Sequence, residues 1–162
     1  MTKEASEVIY AEDVAKPNVF VQFKKLDEKA VIPTYANIGD VGADLTATSV
    51  NHVPATIEEA AYYEYGTGLA MKIPEGYGGF IFPRSSVSKK DLFLANAVGV
   101  IDPSYTGEIK LRFKYKTNPK LYEVGERIGQ LVILPIPTIN FSEVSELPIT
   151  SRGNNGFGSS GA

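Results

Sequence analysis

In Glu108–Tyr115, Ile109, Leu111, Phe113 and Tyr115 alternate with Lys110, Arg112 and Lys114. A period of two sends successive side chains to opposite faces, so this segment reads as a strand with one buried face. Residues 130–136 (QLVILPI) are continuously apolar, which suits a strand buried on both sides; their length and Pro135 disfavour a buried helix. Helical period is scarce elsewhere. Residues 57–63 fit two helical turns or a strand equally well, and residues 86–92 fit one short helix with Ser85 or Ser86 as N-cap. Further strand signals lie at 18–25, 69–73, 80–82 and 97–101, with a turn over 74–79, a loop over 33–40 and a short polar, β-branched stretch at 44–50. Residues 1–17 are polar and mixed, with a short strand signal at 8–10. Short strands separated by turns, with 15 Gly and 10 Pro in 162 residues, predict an all-β sandwich or barrel.

Composition excludes several chemistries. There is no Cys, so disulfides and thiolate metal sites are ruled out, and one His (His52) cannot build a His-rich metal site. The net charge of −3 without a long basic run argues against DNA binding through a basic face. No apolar run approaches a membrane span and no signal-peptide core is evident, so a cytoplasmic, soluble protein is expected.

Three segments carry chemical promise. Arg84-Ser85-Ser86 follows an apolar strand and opens the short helix, where an arginine, two hydroxyls and free N–H groups can cradle a phosphate; an ordinary cap with a surface arginine is the plainer reading. Asp102 sits where apolar burial ends, before Pro103-Ser104-Tyr105. A carboxylate partly desolvated there suits a general base that activates water, or it simply organises the turn. The C-terminal run from Ser151 to Gly161 threads Arg152, Phe157, Ser159 and Ser160 between glycines. It is either a frayed terminus or a segment that wraps an anion and covers a flat ring.

In this order the segments resemble the five motifs of the trimeric dUTP pyrophosphatase (dUTPase) family. The matching residues are Gly42-Ala43-Asp44-Leu45, Pro83-Arg84-Ser85-Ser86, Gly99-Val100-Ile101-Asp102 through Tyr105 and Gly107, Glu126-Arg127-Ile128-Gly129-Gln130-Leu131, and Arg152-Gly153 through Gly161. The resemblance divides the chain into an N-terminal extension (1–17), a β domain (18–150) and a flexible C-terminal lid (151–162). It implies a jelly-roll-like subunit with at most one short helix, assembling as a homotrimer with composite active sites at subunit interfaces. The implied reaction is dUTP plus water giving dUMP and pyrophosphate, with Mg2+ as cofactor on the triphosphate. That reaction limits uracil incorporation into DNA and supplies dUMP for dTTP synthesis.

The resemblance also implies roles for single residues. Asp102 aligns with the carboxylate that orients and activates the attacking water, and Tyr105 with the aromatic under the deoxyribose. Asn96 matches the position that reads the uracil edge, with backbone from Gly99, Val100 and Ile101 and near Lys110 completing the pocket. Arg84, Ser85, Ser86 and Gln130 match phosphate-binding positions; Arg152, Gly158 and Ser159 match the closing tail, and Phe157 the ring stacked on uracil. No side chain is expected to ligate the metal directly, Asp44 is expected to support the phosphate–metal region, and Arg127 has a structural reading. Departures from the family pattern are Ala43, Ser86, Val87 and Asn155, and the stretch 51–66 is longer than a minimal member needs. The rival readings are a dCTP deaminase, a relative of the same fold, and a trimeric dUTP-sensing or partner-docking protein. Tyr105 and the Gly-Phe-Gly-Ser tail favour the pyrophosphatase over the deaminase.

Overall fold

The structure is a computed structural model that describes residues 18–155. It is all-β, with nine strands: β1 (Gln22–Lys25), β2 (Ala43–Thr46), β3 (Ser49–Val53), β4 (Tyr62–Lys72), β5 (Tyr77–Pro83), β6 (Leu92–Leu94), β7 (Gly99–Ile101), β8 (Glu108–Tyr115) and β9 (Arg127–Pro135). They form two antiparallel sheets. One runs β1-β4-β8-β6 with β3 also on β4, and the other runs β2-β9-β5-β7. The period-two segment is β8, and its apolar face is fully inside: Ile109, Leu111 and Phe113 are at most 1% exposed. They meet Leu45, Ile81, Ile128 and Leu131 of the facing sheet, so one core joins the two layers.

The long strand β4 organises one layer. β3 pairs with its first half (Tyr62–Gly66) and β1 with its second (Leu69–Lys72), while β8 takes the opposite edge. The register shifts between Gly66 and Ala70, and Gly68 at φ +63° takes the left-handed bend there. The carboxylate of Glu108 fills the gap in the ladder, with Oε1 accepting from the Gly68 N–H at 2.9 Å.

Several sequence expectations need correction. Residues 57–61 form no helix; they belong to the β3–β4 loop, and Tyr62 begins β4. The short helix is a 3-10 turn over Ser85–Lys89 with Arg84, not a serine, in the N-cap and no side-chain cap. Leu92 instead starts β6, because Leu92 and Leu94 bury alternate side chains, a three-residue signal too short for periodicity to register. Strand β9 begins earlier than expected, and its C-terminal end is not buried on both faces: Leu134 is 42% and Ile136 45% exposed. Residues 137–150 form no strand or helix and are exposed throughout. The strand signal at 8–10 lies outside the described residues. No helix among the described residues is long and apolar enough to cross a membrane.

Candidate active site

Two clusters hold the site residues anticipated from sequence. The first forms where β2, β9 and β5 lie side by side: Asp44 pairs with Gln130, and Gln130 with Phe82. Pro83 ends β5, so Arg84 emerges next to this row. Asp44 is buried, and both of its oxygens are taken: Arg84 Nε donates to Oδ1 at 3.0 Å and Arg127 Nη1 to Oδ2 at 3.0 Å. One carboxylate between two guanidinium groups leaves a net positive charge and unused N–H donors, a suitable receptor for phosphate oxygens. The Gln130 side chain is packed close to Gly42, where an added Cβ would lie 3.0 Å from Gln130 Cβ.

Ser85 is exposed, whereas Ser86 Oγ is buried and lacks a hydrogen-bond partner among the described residues. A buried hydroxyl without a partner is uncommon and leaves a donor free for a ligand. The helix-end argument for this segment does not carry over, because a five-residue 3-10 turn has little dipole. The positive charge of this cluster comes from the two arginines. Asp44 therefore orients these cations, which is a more specific role than general support of the phosphate region. Arg127, read as structural, is its second partner. No local pattern could have revealed this, since Asp44 lies 40 and 83 positions from its partners.

The second cluster spans β6, β7 and the turn into β8. Asn96 and Ala97 form a tight corner in which Ala97 N–H donates to the Leu94 carbonyl at 3.0 Å. Ala97 has φ +59°, a left-handed conformation that costs a non-glycine residue roughly 1–2 kcal/mol. Such strain is concentrated at functional sites, and here it presents the exposed Asn96 beside buried Gly99. Ile101 ends β7, and the turn that follows carries Asp102 and Tyr105, both exposed. Partial desolvation of Asp102 was expected and is absent in the single chain. The Tyr105 hydroxyl donates to the Glu108 carbonyl at 2.8 Å, laying the ring across Gly107. A Cβ at position 107 would sit 2.6 Å from Tyr105 Oη, so glycine is required by the ring rather than by backbone angle.

Lys110 projects from the outer face of β8, and its Nζ donates to Glu64 Oε1 at 3.0 Å. Arg112 Nε donates to the other oxygen at 2.9 Å. The Lys110 hydrogen bond is the main cause that holds the Glu64 carboxyl below its ordinary value. Of the tail, Arg152 Nε donates to the Asn155 carbonyl at 3.0 Å within a local turn. Phe157, Gly158 and Ser159 lie outside the described residues.

Within the second cluster, only the turn carrying Asp102 and Tyr105 stands at the opposite end of β5 from Arg84. Ile101 pairs with Gly79 and Gly99 with Ile81, so Asp102 leaves the sheet beside the start of β5 while Arg84 leaves at its end. About six extended residues separate the two levels, or roughly 20 Å.

The dUTPase family model matches residues 28–161. The deoxyuridine 5'-triphosphate nucleotidohydrolase of Leifsonia xyli is 39% identical over 133 residues, 80% of this chain and 85% of that one. Its counterpart from Thermobifida fusca is 42% identical over 148 residues, 88% of this chain and 79% of that one. Among solved structures, a mutant Staphylococcus bacteriophage 80alpha dUTPase with dUpNHpp aligns with TM-score 0.71 and 29% identity, covering 88% and 99% of the two chains. The fold is also similar to that of a dUTPase from phage phi11 of S. aureus, at TM-score 0.62 and 24% identity, covering 78% and 97%; that structure coordinates a structural Mg(II) ion. With a family match spanning almost all described residues and motif residues gathered at two sheet ends, this chain belongs to the dUTPase family.

Proposed function

We propose that the protein hydrolyses dUTP to dUMP and pyrophosphate, at sites shared between subunits of a homotrimer. The observation that carries this reading is the separation of Asp102 and Tyr105 from the Asp44–Arg84–Arg127 cluster along β5, combined with family membership. The Asp102 turn and the arginine cluster leave β5 a strand's length apart, so a neighbouring copy supplies the other half. The run of exposed apolar residues beyond β9 supports assembly: Phe141 is 94%, Leu147 81% and Ile149 102% exposed. An apolar run of this kind marks an interaction surface.

Uracil sits against Asn96 and the backbone of Gly99, Val100 and Ile101, and the deoxyribose packs on the Tyr105 ring. A ring laid flat against Gly107 leaves no space for a 2′-hydroxyl. Arg84, Ser85, Ser86 and Gln130 of a neighbouring chain bind the phosphates, and Ser86 Oγ gains the partner it lacks. Asp102 orients a water molecule and takes its proton as oxygen attacks the α-phosphorus in line with departing pyrophosphate. The cationic cluster stabilises the charge that spreads onto the leaving group. The closing tail, with Arg152, Phe157, Gly158 and Ser159, covers the nucleotide and excludes bulk water.

Magnesium enters with the substrate, as the Mg2+ complex of the triphosphate. Asp44 Oδ1 and Oδ2 each accept from a guanidinium group, so its carboxylate holds the two arginines in place beside the phosphates. The metal neutralises part of the phosphate charge and fixes its geometry. Physiologically, the reaction keeps uracil out of DNA and provides dUMP for dTTP synthesis, in the cytoplasm.

A pyrophosphate-release assay over dUTP, dTTP, dCTP and UTP with Mg2+ tests the reading. Strong preference for dUTP is expected. Ammonia release from dCTP would instead assign the deaminase chemistry, and tight dUTP binding without turnover a sensing role.

A further inference from the structure

We infer that Lys72 is a positioning residue for the turn that carries Asp102. This rests on the reading of Asp102 as the water-activating carboxylate. The turn 102–107 is bonded mostly to itself and its own strand. Tyr105 N–H donates to the Asp102 carbonyl at 3.0 Å, and the Tyr105 hydroxyl to the Glu108 carbonyl at 2.8 Å. Pro103 has no N–H to offer. Among the described residues, a single hydrogen bond ties the turn to another element: Lys72 Nζ, at the end of β4, donates to the Pro103 carbonyl at 2.9 Å.

Packing does not replace that tie. A cavity of about 210 Å3 lies under the turn, between Thr106 and Phe23, Ala70, Met71 and Lys72 of the β1–β4 edge. Asp102 is exposed and immediately precedes the anchored Pro103. The Lys72 ammonium therefore ties the residue next to Asp102 to the end of β4. The Tyr105 side of the turn is fixed separately, through Glu108, whose carboxylate is locked onto the β4 bulge at Gly68. Two anchors on β4 thus hold the two functional residues of one turn, and only the Asp102 anchor is a side chain reaching across solvent. Misplacing a catalytic group by a fraction of an ångström affects turnover more than affinity.

The test compares wild type, Lys72→Met and Lys72→Arg in the intact protein. Methionine keeps the length and loses the donor; arginine keeps donor and charge. Lys72→Met is expected to lower kcat for dUTP about two- to tenfold, the scale of one hydrogen bond, with KM within about twofold. Lys72→Arg is expected to restore kcat to within about twofold of wild type. Hydrogen exchange at the amides of residues 104–106 is expected to quicken in Lys72→Met and not in Lys72→Arg. Unchanged kcat and exchange in Lys72→Met overturn the inference. So does a rise in KM alone, which makes Lys72 a nucleotide contact, or equal damage in both variants, which makes the donor irrelevant. A wild-type protein that does not hydrolyse dUTP rejects the functional reading instead, and the exchange experiment still decides whether Lys72 holds the turn.

Discussion

The two halves of the site are built in opposite ways. At the β2–β9–β5 end, a buried carboxylate is clamped by two arginines and flanked by a packed glutamine on the neighbouring strand β9. At the β7–β8 end, Asp102 and Tyr105 stand exposed on a turn held by a few hydrogen bonds over a cavity. The phosphate end is organised before nucleotide arrives. Under the proposed function, the Asp102 end gains dry surroundings when a partner subunit, substrate and tail cover it. Desolvation that would be costly in a free subunit is thereby deferred to the moment of reaction.

Breaking the exposed half should affect rate above all. Asp102→Asn is expected to fold and bind nucleotide while turnover falls at least about 10²-fold, the scale of a lost general base. Steady-state kinetics with dUTP checks this, and near-normal turnover would remove Asp102 from its role. Breaking the buried half should affect stability as well. Asp44→Ala leaves two guanidinium groups facing each other and is expected to cost about 2–3 kcal/mol, toward the low end for a broken buried pair because both arginines keep some solvent. Urea unfolding at fixed protein concentration measures it.

Mixing the halves sharpens the comparison. Asp102→Asn and Arg84→Ala each disable a different half, so co-expressed mixed trimers should recover about a quarter of wild-type activity if every site draws its halves from two chains. Recovery absent at every mixing ratio would place both halves in one chain. A gentler change is Gly107→Ala, which pushes the Tyr105 ring off the turn. Discrimination between dUTP and UTP is then expected to fall about tenfold, read from the ratio of kcat/KM values.

The smallest effect concerns Glu64 on β4, which pairs with Lys110 and Arg112 of β8. Its folded pKa lies below the ordinary 4.5, so its contribution is present above that value and lost as pH falls through the folded pKa. Thermal midpoints between pH 6 and 3 should show a difference of about 2 °C or less between wild type and Glu64→Gln, vanishing at the acid end.

Much of this was legible in the chain because it is local. The alternation in Glu108–Tyr115 needs only the pleat of a strand, and the apolar run in β9 only its central place in a sheet. The weak signals failed where a segment was short or its conformation was imposed from outside. Leu92–Leu94 is strand because β8 pairs with it, and Ala97 is left-handed because the β6–β7 corner requires it. The order of the motif residues along the chain pointed to the family, and family similarity bears that out.

From residue order alone, then, come the all-β class, the absence of thiol or histidine metal chemistry, and the list of candidate site residues. Their grouping is another matter. Asp44, Arg84 and Arg127 converge, and Asp102 is held a strand's length away, because antiparallel pairing joins residues 40 to 83 positions apart and sends the ends of β5 in opposite directions. Register is a property of strands in contact, set by a core that no single segment contains.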